Sequence, residues 1–146
     1  MFTSGLTSTG ALPTLEMGVR FAAQRQRTLA HNIANLATPG FQPKEVSPRA
    51  FQEVLGEAVD RRRSRTGGMH GALDWRETAQ ITRDQRGNLK LVPQDSSSNV
   101  LFHDRNNRDL ERMMADLAEN VAAYRVATDL LRSRVGALTS AIRETP

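Results

Sequence analysis

The chain has 146 residues, of which 38% are hydrophobic, 25% are charged and 5% are aromatic, and its formal net charge is +4. This length and composition predict a single domain, and no stretch approaches the ~20 apolar residues of a transmembrane helix. The absence of cysteine excludes disulfides and thiolate metal sites, and the scarcity of aromatic residues favours an elongated shape with narrow packed seams.

Residues 1–13 are small, polar and glycine-containing. They lack the basic start and the continuous apolar core that define a secretory signal peptide. We therefore expect the protein to carry no cleavable signal peptide.

A first long helix is predicted to begin near Pro13 and Thr14, which suit a helix start. Pro39 pushes the residue before it toward extended backbone, and Gly40 can adopt a positive φ, so this helix is predicted to end near Ala37. One stripe of positions along this helix recurs at alternating steps of four and three. Its members are Leu15, Val19, Ala22, Gln26, Leu29, Ile33 and Leu36, all apolar except Gln26.

The middle of the chain, residues 41–105, differs in composition from both ends. A short helix is predicted from Pro48 to about Asp60, capped by Ser47, and its apolar face consists of Phe51, Val54, Leu55 and Val59. Two alternating runs, 78–83 and 88–92, flank a turn and could pair as a small β-hairpin. The rest is predicted to be irregular and to become ordered only against neighbours.

A second long helix is predicted from about Asn107 to about Arg143, with a length of about 55 Å. Asn106, Asn107 and Asp109 are candidates to cap its first turn, and Pro146 marks its end. Its apolar positions form a heptad pattern; they are Leu110, Met114, Leu117, Val121, Tyr124, Thr128, Leu131, Val135, Leu138 and Ile142. Because both ends of the chain carry a stripe that needs a partner, the sequence favours a protein that bundles over one that catalyses.

No catalytic or metal-binding motif accompanies these helices. His31, His70 and His103 have no metal-ligand spacing, and the sequence contains no glycine-rich phosphate loop and no nucleophile elbow. Carboxylates such as Glu111 and Asp116 fall on one helix, where solvent exposure or pairing with a neighbouring arginine is ordinary. We therefore predict no enzyme activity, no metal, no cofactor and no small-molecule substrate.

The arginine content raises the question of nucleic-acid binding, since 18 of the 20 basic residues are Arg. Only the run 61–65 is concentrated, and it follows the predicted short helix. We interpret it as the solvated end of that helix, where cations suit the helix dipole. The alternative is a contact with an acidic partner or a phospholipid surface. We prefer the solvated helix end to this alternative, and either of them to nucleic-acid binding.

Two stretches carry a family resemblance. The first contains Asn-Ile-Ala-Asn at 32–35 and Thr-Pro-Gly-Phe at 38–41, and it resembles the N-terminal signature of bacterial flagellar rod and hook axial proteins. The second, residues 114–120 with Tyr124 and the closing run 140–143, resembles the C-terminal helix of the B-type proximal rod proteins of that family.

This resemblance implies a mainly α fold. The N-terminal axial helix, residues 1–40, and the C-terminal axial helix, residues 106–146, would form an antiparallel coiled-coil hairpin and one structural domain. Residues 41–105 would form the irregular middle segment. The resemblance further implies a structural subunit of the proximal rod that polymerises through its terminal helices and transmits torque from the membrane ring to the distal rod and hook.

The same resemblance implies the partners and the location. The partners would be copies of the chain itself, other flagellar rod proteins, and the membrane-embedded basal-body ring and export gate, with no nucleic acid. The location would be the periplasm-spanning rod, reached by type III export. The alternatives are a C-type rod protein, a soluble coiled-coil adaptor and an Arg-rich nucleic-acid-binding protein.

Within that fold, the apolar positions of both helices are expected to form the hairpin seam. The Thr-Pro-Gly-Phe run is expected to redirect the chain and to place its phenylalanine against a packed surface. The candidate assembly contacts are Asn32, Asn35, Thr38, Pro39, Gly40, Phe41 and Asn120.

Overall fold

Two long helices from opposite ends of the chain lie antiparallel against each other. The computed structural model describes residues 8–96 and 108–143, and its elements are α1 (Leu12–Asn35), β1 (Lys44–Glu45), α2 (Pro48–Thr66), β2 (Ile81–Arg83), β3 (Leu89–Leu91), β4 (Gln94–Asp95) and α3 (Arg108–Arg143). Asn120 of α3 contacts Ala22 of α1, and Asp116 contacts Arg25. Residue numbers thus rise along one helix as they fall along the other.

Helix α3 is the longer of the pair. It has 36 residues against 24 in α1, which makes it about 18 Å longer. Leu138 lines a cavity together with Leu12, the first residue of α1, so the last residues of α3 extend past the start of α1. The predicted extent of α3 is confirmed, and Asp109 is its second residue, whereas Asn106, Asn107 and Pro146 lie outside the part of the chain that the structure describes.

Helix α1 begins and ends close to the predicted positions. Pro13 lies in its first turn, where a missing backbone N–H costs no helical hydrogen bond. The helix ends at Asn35, two residues before the predicted Ala37. Gly40 has a φ of +77°, so the prediction of positive φ at this glycine is confirmed.

Helix α2 is longer than predicted. Ser47 caps it as expected, since its Oγ accepts from the Ala50 N–H at 3.2 Å. The helix continues through the arginine run to Thr66 and ends where Gly67 adopts a φ of +66°. The predicted end at Asp60 is therefore wrong, because arginine is a good helix former and the first residue suited to a left-handed cap comes at Gly67.

The predicted β-hairpin is confirmed as the antiparallel pair β2 and β3. The Asp84 carboxylate accepts from the backbone N–H groups of Arg86 and Asn88, both at 2.8 Å, and so fixes the turn. These hydrogen bonds, the one from the Asn88 backbone foremost, lower the pKa of the Asp84 carboxyl. A second two-stranded pair joins β1 to β4, with Lys44 opposite Asp95.

The main hydrophobic core lies where the middle segment packs on α1. Phe21 of α1 stacks on Phe51 of α2 with ring centroids 3.9 Å apart. Val46 and Ile81 are almost completely buried beside them. The scattered apolar residues of this segment form one core inside the chain through contacts distant in sequence, and the expectation that the segment becomes ordered only against neighbours stays a prediction.

The fold class predicted from the sequence is confirmed: the chain is mainly helical, with paired terminal helices and small antiparallel sheets. Within the described ranges, no helix is both long and apolar enough to cross a membrane.

Candidate assembly surface

Helix α1 is covered on two sides. One side faces α3, where Ala22 and Leu29 are buried, and the other faces the middle segment, where Met17 and Phe21 are buried. Much of the surface of α1 is therefore used inside the chain.

Asn32 joins α1 to strand β1 through both ends of its amide. Its Nδ2 donates to the Lys44 carbonyl at 2.6 Å, and its Oδ1 accepts from the Lys44 N–H at 3.0 Å. The side chain therefore bonds to the strand as a neighbouring strand's backbone would, and only 4% of Asn32 is exposed. Asparagine suits this position because its amide supplies both a donor and an acceptor.

Gln24, eight residues earlier on α1, makes the same kind of contact with β3. Its Nε2 donates to the Leu89 carbonyl at 2.8 Å, and its Oε1 accepts from the Leu91 N–H at 2.9 Å. Gln24 is not among the residues predicted from the sequence. The only available signal was a polar residue eight positions before the motif asparagine, which is weak without the structure.

Asn120 of α3 also bonds through its side-chain amide to the backbone of a neighbouring element, in this case α1. Its Nδ2 donates to the Ala22 carbonyl at 2.9 Å, and only 3% of the residue is exposed. One turn along the interface, the buried Arg25 guanidinium lies 3.6 Å from the half-exposed Asp116 carboxylate. These polar contacts fix the relative register of α1 and α3.

The buried amides change how the candidate assembly contacts are distributed. Asn32 and Asn120 are used inside the chain and present almost no surface to a partner, so their assignment as intersubunit contacts is corrected. Asn35 is half-buried, and its Nδ2 donates to the His31 carbonyl in its own helix at 2.8 Å.

The turn after α1 stays on the surface. Phe41 donates its N–H to the Thr38 carbonyl at 3.1 Å. With Pro39 second and Gly40 third at positive φ, this is the arrangement of a type II turn. The half-buried Phe41 ring lies edge-on to His31 at 5.6 Å, while Thr38, Pro39 and Gly40 are exposed.

The face of α3 that meets α1 is rotated from the predicted seam. In α1, the seam positions Ala22 and Leu29 are buried, and the remaining apolar ones are half-buried: Leu15, Val19, Ile33 and Leu36. In α3, these predicted positions are half-buried: Leu117, Val121, Tyr124, Leu131 and Leu138. Four others are exposed, namely Leu110, Met114, Val135 and Ile142, so their assignment to the hairpin seam is corrected.

The reason for the rotation is Asn120. Apolar spacing in the sequence does not identify an asparagine as a seam residue. The Asn120 amide nevertheless donates to the Ala22 carbonyl, and this hydrogen bond allows it to be buried. The seam consequently runs through Leu117, Asn120, Tyr124 and Leu131, and two strips of α3 are left exposed.

We call these strips flank A and flank B. Flank A contains Leu110, Met114 and Val135, and flank B contains Val126 and Leu130. At 100° per residue, Met114 and Leu130 lie about 160° apart around the helix. A helix with one covered face and two exposed apolar flanks is suited to contacts with two further neighbours.

The arginine run belongs to α2, and its members have different roles. Arg62 is buried, and its guanidinium donates to the carbonyls of Gly10 at 2.6 Å, Ser8 at 2.8 Å and His70 at 3.3 Å. Arg61 donates to the Asp74 carbonyl at 2.9 and 3.1 Å. The interpretation of the run as a solvated helix end is therefore wrong for these two and holds for the exposed Arg63.

Within residues 8–96 and 108–143, no three His, Asp or Glu side chains are grouped so that they could hold a metal ion. His31 and His70 lie on the surface, and His103 is outside the described residues.

Comparison with known proteins extends the resemblance beyond the terminal motifs. The chain is 28% identical over 138 residues to the flagellar basal body rod protein FlgB of Yersinia ruckeri, covering 92% of this chain and 95% of the relative. It is 28% identical to FlgB of Salmonella typhimurium over 91% of this chain and 93% of the relative. It is 25% identical to FlgB of Bacillus subtilis, with the same coverage of 91% and 93%. No family model matches the chain.

These similarities confirm the recognition made from the terminal motifs. They reach across nearly the whole length of relatives from distant bacteria, and each relative carries the name of the B-type rod protein.

Proposed function

We propose that this chain, a flagellar rod protein similar to FlgB, is a structural subunit of the proximal rod that polymerises through its terminal helices. The observation that carries this proposal is the pair of exposed apolar flanks on α3. Exposed residues such as Met114 at 52% and Leu130 at 50% leave apolar surface on opposite sides of one long helix. Burial of such surface against neighbouring helices is the usual source of stability in a helical assembly.

In this proposal, α1 with the middle segment has one role and α3 has another. Helix α1 and the middle segment give the subunit a rigid body, since α1 is bonded to β1 and β3 through Asn32 and Gln24. Helix α3 lies on one side of that body and offers its flanks to neighbours. A rigid body with lateral helix contacts on two sides can pass torque from the membrane ring to the distal rod and hook.

The partners follow from the same proposal. Flanks A and B would contact copies of the chain and other rod proteins. The exposed turn at Thr38, Pro39 and Gly40 would contact a further neighbour, including the membrane-embedded ring and export gate. The subunit would reach the rod through the type III export apparatus.

Deletion of the gene tests this function. We expect the deleted strain to be non-motile and to lack rods and hooks in basal bodies examined by electron microscopy, and a plasmid copy should restore both. Normal rods in the deleted strain would contradict the proposal, and recovery of the protein as a discrete soluble oligomer would favour a coiled-coil adaptor.

Gly40→Val tests the turn. Valine at a φ of +77° costs on the order of 1–3 kcal/mol of backbone strain, while an added Cβ would meet no atom within 4 Å. The expected result is loss of incorporation into the rod with a modest effect on protein level, measured by swarming and by immunoblots of purified basal bodies.

Two matched variants serve as controls for Gly40→Val. Gly40→Asn should retain more function, because asparagine tolerates the left-handed region. Gly136→Ala, in α3 and also free of contacts to an added Cβ, should be neutral or slightly stabilising. Normal swarming of the Gly40→Val strain would count against a role for the turn.

A further inference from the structure

Charges of opposite sign border the two apolar flanks of α3. At 100° per residue, Arg125 lies about 20° around the helix from Met114 of flank A, and Arg132 lies in line with Met114. On the other side, Glu119 lies about 20° from Leu130 of flank B. All three charged side chains are exposed. Flank A is therefore basic along its middle, whereas flank B has a carboxylate there.

Two of these charges are not used inside the subunit. The ion pairs that α3 forms within the described residues involve Asp116, Asp129 and Arg132. Neither Glu119 nor Arg125 takes part in them. An exposed charge beside an apolar strip favours a partner that brings the opposite charge to the contact. Each flank offers the charge that the other one lacks.

Contact of a flank with itself is less suitable. Two copies of flank A would meet with antiparallel α3 helices, and Arg125 and Arg132 of one copy would face those of the other. Two copies of flank B would offer Glu119 only the nearby Arg134 and would leave flank A exposed. A contact between flank A of one copy and flank B of the next covers both flanks and repeats from copy to copy.

Resting on the polymerisation proposed above, we propose that flank A of one subunit packs against flank B of the next copy, with parallel α3 helices and Arg125 paired with Glu119. This pair sets a displacement of about 9 Å between the two helices along their axes. The same displacement brings Leu130 of flank B beside Val135 of flank A, which are 50% and 49% exposed in the isolated subunit.

Two arginines near the ends of flank B are compatible with this register. Arg112 comes level with Ala118 of the neighbour, and Arg134 comes level with Ser140. Neither arginine therefore faces a cation at its own level.

The alternative register, in which Glu119 pairs with Arg132, is unfavourable. It needs a displacement of about 20 Å and brings Arg112 of one copy level with Arg125 of the next. Like charges placed opposite each other weaken a contact, so Arg125 is the better partner of Glu119.

Charge reversal tests the pair. Glu119→Arg and Arg125→Glu, introduced singly, should each lower the amount of subunit in purified basal bodies about tenfold, because each places two like charges at the contact. The variant that carries both changes should restore incorporation and swarming, since the two charges are only exchanged. The urea unfolding midpoints should stay unchanged, because both side chains are exposed and unpaired within the described part of the subunit.

The matched control combines Glu119→Arg with Arg134→Glu, which restores the net charge but not the proposed pair. Rescue by this combination, or no rescue by the exchange of Glu119 and Arg125, overturns the proposal. Failure of the exchange in a species whose gene deletion removes the rods contradicts only the pairing of the flanks. Normal rods in the deleted strain would contradict the polymerisation itself.

Cysteine cross-linking provides an independent measurement, because the natural chain has no cysteine. Leu130→Cys combined with Val135→Cys should give disulfide-linked oligomers in purified basal bodies, since a disulfide requires Cα atoms within about 7 Å. Within one helix these positions point about 140° apart, so the bond forms between copies.

Each single cysteine variant should remain uncross-linked. Dimers formed by Leu130→Cys alone would show that flank B contacts itself, and dimers formed by Val135→Cys alone would show the same for flank A. Either result, or absence of cross-linking in the double variant, would overturn the proposed pairing.

Discussion

Met114→Asp and Leu130→Asp, introduced singly, should each abolish rod assembly while leaving the subunit folded. Both side chains are half-exposed in the isolated chain, where surface substitutions usually change the free energy of unfolding by less than about 0.5 kcal/mol. In an assembled rod, each aspartate would be buried without a partner, at a cost on the order of 3 kcal/mol. That cost corresponds to association weakened about 100-fold.

The measurements are swarming, rod yield in purified basal bodies, and urea unfolding of each purified subunit. Ala122→Asp is the matched control, because it adds the same charge, with an even larger loss of helix propensity, on the exposed face of α3 between the flanks. If Ala122→Asp is as harmful as the flank variants, added charge rather than flank contact is responsible. If one flank variant assembles normally, that flank does not meet a neighbour.

Asn32→Ala should destabilise the subunit far more than Asn35→Ala, although both residues belong to the same motif. Removal of the Asn32 amide leaves the Lys44 N–H and carbonyl without their partners, at a cost of about 1–3 kcal/mol. Asn35 bonds within its own helix, to the carbonyl and a ring nitrogen of His31. Alanine improves helix propensity equally at both positions, so the difference between the variants reports the contact with β1.

Urea unfolding followed by circular dichroism measures this difference. Asn32→Asp sharpens the test, because it keeps the acceptor for the Lys44 N–H but loses the donor and places a carboxylate against the Lys44 carbonyl. We expect it to be at least as destabilising as Asn32→Ala. Equal unfolding midpoints for Asn32→Ala and Asn35→Ala would show that the amide contact with β1 adds nothing measurable.

The middle segment marks the limit of what local sequence patterns could predict. The cap at Ser47 and the β-hairpin were predicted because their signals lie within a few residues. The sequence predicts the end of α2 at Asp60 because the arginines that follow resemble a solvated helix end, whereas the left-handed cap comes only at Gly67. The core was missed, since the contact between Phe21 and Phe51 joins residues distant in sequence.

The residues of the candidate assembly surface were also predictable only where their signal is local in sequence. The motif at 32–41 identified Gly40 as a turn residue, because its conformational requirement is local. It did not distinguish Asn32, which is buried against Lys44, from Asn35, which bonds within its helix. Only the packing of β1 against α1 separates the two asparagines.

By itself, the sequence determined that both ends of the chain are long amphipathic helices and that the first ends in a glycine turn, because helical spacing and backbone preference act over a few residues. Tertiary structure alone decided which face of α3 meets α1. Apolar spacing favoured a seam that included Leu110 and Met114, which are exposed. The Ala22 carbonyl instead satisfies the Asn120 amide, which allows a polar residue to be buried and leaves flanks A and B exposed.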